Sequence, residues 1–127
     1  MATHINQEIP RERWAEYLAQ LSKQEHDECV RVESINPEMG DQPLSEPLPL
    51  IHIALETKGS GAGTVEIIVG RENAEITHRI LEPERLVAEL NGSGGTLECL
   101  EICERGNGKT LIFFERASAF DDMAAPI

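Results

Sequence analysis

From Leu48 onward the apolar residues recur at every second position in short runs, and turn-forming segments separate the runs. Period two is the signature of a pleated strand, whose side chains alternate between two faces. "PLIHIALET" sets Ile51, Ile53 and Leu55 against Leu50, His52 and Ala54. "TVEIIVG" aligns Val65, Ile67 and Val69, and "EITHRIL" aligns Ile76, His78 and Ile80 opposite Thr77, Arg79 and Leu81. The connections "GSGAG", "RENA" and "NGSGG" are too short for the crossover that joins parallel neighbours, which takes a dozen residues or more. Antiparallel pairing follows. "ERLVAEL" alternates Leu86, Ala88 and Leu90 but fits a turn and a half of helix equally well, and both readings stand.

One segment has a different period. "PRERWAEYLAQLSKQEH" spaces Trp14, Tyr17, Leu18 and Leu21 by three and four, which makes one apolar stripe on a helix over residues 10–24. Pro10 suits the first helical position, where its missing N–H has no partner to lose. "ECVRVESI" then reads as a strand through Val30 and Val32, and "NPEMGDQPLSEP", with Pro37, Gly40, Pro43 and Pro47, reads as a loop. The expected fold is α+β: an N-terminal helix packed on an antiparallel sheet of about six strands, which has the option of curling into a barrel. A chain of 127 residues suits a single domain over 1–127. Residues 1–8 and 117–127 are expected to be flexible. Hydrophobic residues make up 40% and aromatics only 4%, so aliphatic side chains must supply most of the core.

The charge is −12, from 23 acidic and 11 basic residues. Such a field repels bare nucleic acid and anionic membranes, and neither is expected as a partner. A basic protein, or a second copy of the chain, is the partner class left. "MATHINQEIPRERW" has no apolar segment of the kind a secretory leader carries, and no run approaches the length of a membrane span. Three cysteines cannot all pair within the chain, and a reducing, cytoplasmic location is expected.

The chemistry most open to misreading is Cys99-x-x-x-Cys103. On a helix the two thiols would be neighbours and could contribute to a zinc site. On a strand they share a face but stand roughly 13 Å apart, beyond the reach of a disulfide or a shared ion. The β-branched and aromatic "KTLIFFE" that follows favours a hairpin. A two-residue Gly106-Asn107 turn would set Glu104 against Lys109, Ile102 against Leu111, Leu100 against Phe113, and Cys99 against Phe114. The thiols then have a structural reading. His78, between two isoleucines, and His52 are the candidate ligand-binding residues, each weighed against a buried histidine bonded to a carbonyl. His4 and His26 are expected in solvent. "GNGKT" lacks the upstream glycine and the following helix of a phosphate loop. No catalytic group, metal ligand set or cofactor is expected.

"IPRERWAEYLAQLSKQ", "PLPLIHIALE", "VEIIVG", "THRILEPERL" and "LECLEICERGNGKTLIFF" together resemble a family of small bacterial proteins of unknown function. Its members open with an Ile-Pro-Arg-x-x-Trp helix and close on a hairpin. The resemblance implies a bacterial source, an α+β fold and no assigned reaction, and it makes Thr77-His78, Ile80 and Pro83 a shared segment. The Pro-rich loop before Leu48 departs from the pattern. Three functional readings compete: a non-catalytic protein-binding or regulatory module; a small-ligand-binding β-barrel with His78, and His52 beside it, as polar anchor; and an acidic decoy for a basic nucleic-acid-binding surface. An enzyme ranks last, because no reactive set converges in the sequence.

Overall fold

The computed structural model describes residues 4–44, 46–92 and 95–115. The apolar stripe predicted near the N-terminus is helical. A 3-10 turn at Arg11–Arg13 leads into α1 (Trp14–Gln24), with Trp14, Leu18 and Leu21 buried on one side. Among the described residues nine strands accompany it: β1 (His4–Glu8), β2 (Cys29–Asn36), β3 (Gly40–Pro43), β4 (Leu48–Leu55), β5 (Val65–Arg71), β6 (Ala74–Ile80), β7 (Pro83–Asn91), β8 (Leu97–Glu104) and β9 (Lys109–Phe114). Their pairings are all antiparallel, in the order β1-β7-β8-β9-β2-β4-β5-β6, with β3 hung on β2.

The α+β class stands, with corrections to its detail. The expected six or so strands become nine. Residues 4–8, expected to be flexible, pair with β7 as β1, and residues 40–43 of the Pro-rich loop pair with β2 as β3. Of the two readings left open for the segment around Leu86, Ala88 and Leu90, the strand is the one observed. The sheet does not close into a barrel, since β1 and β6 end the ladder without meeting. The expected flexibility of 117–127 falls outside the described residues.

Two register differences have identifiable causes. In β4 a bulge between Leu50 and His52 breaks the alternation, so Leu50 and Ile53 both point into the core and His52 is exposed. In the last hairpin the partners are Cys103–Lys109, Glu101–Leu111, Leu100–Ile112 and Cys99–Phe113, one residue off the expected register. The turn is a residue longer than expected: Glu104 N–H bonds the Gly108 carbonyl at 2.9 Å, and Gly106 and Asn107 both take positive φ, 91° and 70°. The deciding constraint lies outside the hairpin. β9 also pairs with β2, where Phe114 meets Val30 and Ile112 meets Val32, and all four face the core. Leu111 and Phe113 are thereby turned to the outer face.

The ladder has one weak seam. β2 and β4 share only Cys29–Pro49 and Val30–Leu48 before they diverge. α1 covers the edge of β4 that this leaves open. Ser22 Oγ accepts the Ile53 N–H at 3.2 Å, Asp27 N–H bonds the Leu50 carbonyl at 2.8 Å, and Leu50 N–H bonds the Glu28 carbonyl at 2.8 Å. Buried side chains from both halves of the sheet and from α1 form one cluster, including Ile53, Ile67, Leu86, Leu100, Ile112 and Leu18.

Trp14 locks α1 in place. It is 2% exposed, its indole N–H donates to the Ile9 carbonyl at 2.8 Å, and the Arg11 guanidinium stacks 4.4 Å from the ring centre. Ile9 N–H in turn bonds the Leu86 carbonyl of β7. Trp14→Ala is therefore expected to cost about 3–5 kcal/mol through loss of a large buried ring. Trp14→Phe, which gives up the hydrogen bond but keeps a ring, should cost about 1–2 kcal/mol. Urea unfolding followed by far-UV circular dichroism measures both; an unchanged Trp14→Phe would show that the indole N–H contributes nothing, and equal losses would show that the buried ring does not contribute.

Candidate functional site

The two histidines singled out from the sequence lie on opposite sides of the sheet. His52 of β4 pairs with Ile68 of β5, while His78 of β6 pairs with Ile67. Paired residues share a face and consecutive residues do not, so the imidazoles project in opposite directions. His78 is on the core side and half-buried; burial pushes its pKa below the ordinary histidine value, and Glu104 opposes the shift in part. His52 is exposed, with its Nδ1 3.5 Å from Ser22 Oγ. It borders an open, mainly apolar groove of about 620 Å³ between α1 and β4, together with Ala19, Lys23, His26, Ile51 and Ala54. His78 is not among the residues that line this groove.

The cysteines are likewise dispersed. Cys99 and Cys103 point to the outer face of β8, as the strand reading expected, and Cys29 lies on β2. All three are free thiols. Burial, with Glu89 and Glu101 nearby, pushes the Cys99 thiol up to about 12. Burial and the Glu101 carboxylate raise Cys103, whose thiol donates to Glu101 Oε2 at 3.3 Å. Burial and Glu115 raise Cys29. Protonated thiols are poor nucleophiles.

One convergence has no trace in local spacing. His4 Nδ1 lies 2.9 Å from Glu98 Oε1 and 3.9 Å from Glu89 Oε1, joining β1, β8 and β7. The bulge between Glu89 and Leu90 of β7 leaves Glu98 as the extra residue of β8, which turns its carboxylate toward Glu89. One nitrogen and two oxygens within 4.8 Å of one another have the spacing of a divalent-cation site. These solvent-facing side chains are equally well explained as an ion-pair cluster, and they carry no argument for a resident metal. The residues are remote in sequence, so only the pairing of β1, β7 and β8 brings them together.

The other feature is strand β6. Arg71 pairs with Ala74 across the tight turn Glu72-Asn73, where Asn73 takes φ 69°. Gly70 is required there: its φ is 137°, and a Cβ would come within 2.3 Å of the Ala74 carbonyl oxygen. This turn projects β6 along one side of β5 and leaves its other edge unpaired among the described residues. Ala74–Thr77 and Arg79 are exposed; Ile76 is 43% exposed, and Leu81 just beyond the strand is 70% exposed. Glu75, Thr77 and Arg79 line the outer face, and Arg79 reaches Glu66 at 2.8 Å and Glu56 at 3.6 Å. The alternation of β6 was legible in the sequence, but its position at the end of the ladder was not.

The chain belongs to a family of unknown function (DUF5335), whose model matches residues 5–123. No curated protein and no solved structure matches it. Among the described residues no helix is long and apolar enough to cross a membrane.

Two titrations check the electrostatics. An unfolded thiol ionises near pH 9 and folded Cys99 near 12, so the stability linked to its proton is complete below pH 9 and is lost as pH rises from 9 toward 12. At pH 8 folded Cys99 carries about a thousandfold less thiolate than an unfolded cysteine, and mass-mapped alkylation should label Cys29 and Cys103 well before it. Labelling of Cys99 first would contradict the burial. His78 has the opposite sign: its folded pKa is depressed, so its contribution is present above pH 6.5 and is lost as pH falls through the folded value. Urea midpoints between pH 7 and 5 should fall less for His78→Gln than for the parent protein, whereas parallel curves would show that His78 titrates as it does in the unfolded chain.

Proposed function

We propose that this protein is a non-catalytic protein-binding module that takes an extended segment of a partner polypeptide onto β6 by strand addition. The observation that carries this reading is a seven-residue edge strand whose outer row of backbone groups is unpaired among the described residues, with exposed Ile76 and Leu81 beside it. Folded proteins blunt such edges by shortening them, charging them or placing proline in them, because an open edge recruits other chains. The remaining edges fit that description better. β3 has four residues and ends on Pro43, and β1 has five residues whose His4 and Glu8 are drawn into ion pairs with β7 and β8. β6 is longer and carries apolar residues, so main-chain bonds supply affinity and alternate side chains supply specificity.

Supporting the absence of catalysis, the thiols are protonated and the two candidate histidines face apart. Three free thiols also suit a reducing compartment such as the cytoplasm.

Site-specific photo-crosslinking in the cells that make the protein tests the reading. A photoreactive residue at position 76 or 81 should give discrete polypeptide adducts, and one at the exposed Met39 should not. Adducts from position 81 should disappear when Ile76→Lys charges the edge. Equal adducts from Met39, or none from β6, would overturn strand addition.

A further inference from the structure

We infer that β6 binds a second copy of itself, pairing antiparallel about a two-fold axis through Thr77 so that two sheets run together as one. This names the partner for the edge proposed above and rests on that reading. β6 runs from Ala74 to Ile80, so Thr77 is its middle residue. Pairing it with its own copy about that centre uses the whole strand, with Ala74 opposite Ile80 of the second copy. The same register sets Glu75 opposite Arg79 of the second copy, and symmetry makes the pair twice. Opposite charges directly across an antiparallel pair are stabilising, and like charges are not.

Other registers lose this match. A slip of one residue sets Glu75 against His78 or against Ile80. Centring the axis on Glu75 or on Arg79 puts like charges face to face. The register that pairs every residue is therefore also the one that matches the charges.

The side chains support the same alignment. Glu75 and Arg79 share the outer face of the sheet with Thr77, as their pairing with Gly70, Glu66 and Ile68 shows. Arg79 already holds Glu66 and Glu56, yet its side chain is about half exposed and its guanidinium has five donors, enough for another carboxylate. Among the described residues Glu75 has no ion-pair partner. On the opposite face Ile76 would meet His78 of the second copy, covering an apolar side chain that the single copy leaves in water. Such a closed isologous contact uses up both open edges and does not propagate into a fibre.

A single strand edge buries little area, so the dimer is weak and concentration-dependent. Sedimentation equilibrium of the full chain from micromolar to millimolar concentration is expected to show a monomer–dimer equilibrium that salt weakens. Glu75→Arg and Arg79→Glu should each weaken self-association by on the order of tenfold or more, because each turns two attractive pairs repulsive. An equimolar mixture of the two variants should regain a heterodimer. The arginine introduced at position 75 of one chain then faces the glutamate introduced at position 79 of the other, and the remaining pair is native. Circular dichroism of each variant confirms that it is folded. Recovery in the mixture establishes the register. A protein that stays monomeric to millimolar concentration overturns the dimer, while adducts from position 76 to an unrelated protein would leave strand addition standing. A dimer indifferent to both substitutions overturns this pairing, and absence of both dimer and adducts removes β6 as a binding edge.

Discussion

The structure depends on how α1 seals the seam between β2 and β4. A continuous ladder of strands cannot bury one face alone, so its two halves must share a core, and they diverge where β2 and β4 keep only two residue pairs. That divergence exposes part of the β4 edge, which water would otherwise have to satisfy. α1 and its C-terminal exit fill the place: Ser22 and residues 27–28 bond the β4 main chain, and Trp14, Leu18 and Leu21 supply apolar surface to the shared core. Few aromatic residues are needed, because aliphatic side chains from both halves meet in one cluster around that helix.

The same architecture explains why the potentially reactive groups do not converge. Strand alternation sends His52 and His78 to opposite sides of β4–β5–β6, and Cys99 and Cys103 stay apart along β8. A closed barrel could have gathered inward-facing residues from all strands around one cavity. An open ladder gives that up and has ends instead, and the ends are where this protein departs from a merely stable domain. Among the described residues β6 keeps backbone groups unpaired and two large aliphatic side chains in water, features that most folded chains suppress.

Local patterning was a good guide where one interaction range decided the outcome. The spacing of Trp14, Leu18 and Leu21 needs only helix geometry, and the burial of Val65, Ile67 and Val69 in β5 needs only alternation. It failed where a distant strand cast the deciding vote. The hairpin after Glu104 offered an opposite-charge match between Glu104 and Lys109, worth a fraction of what burying Ile112 and Phe114 against β2 contributes. β1 and β3 were missed for a related reason: "HINQE" and "GDQP" carry almost no apolar signal, and they become strands because β7 and β2 offer edges to pair with.

By itself the sequence determined the class: one amphipathic helix, strands joined by short turns, antiparallel pairing, and thiols set on a strand. These follow from side-chain period and turn chemistry, which act over a few residues. Only the tertiary structure decided the nine-strand order, the register of β9, the meeting of His4 with Glu89 and Glu98, and the exposure of β6 at the end of the ladder. The physical reason is that alternation says which face a residue takes but not which strand lies beside it, and an edge is defined by the neighbour it lacks.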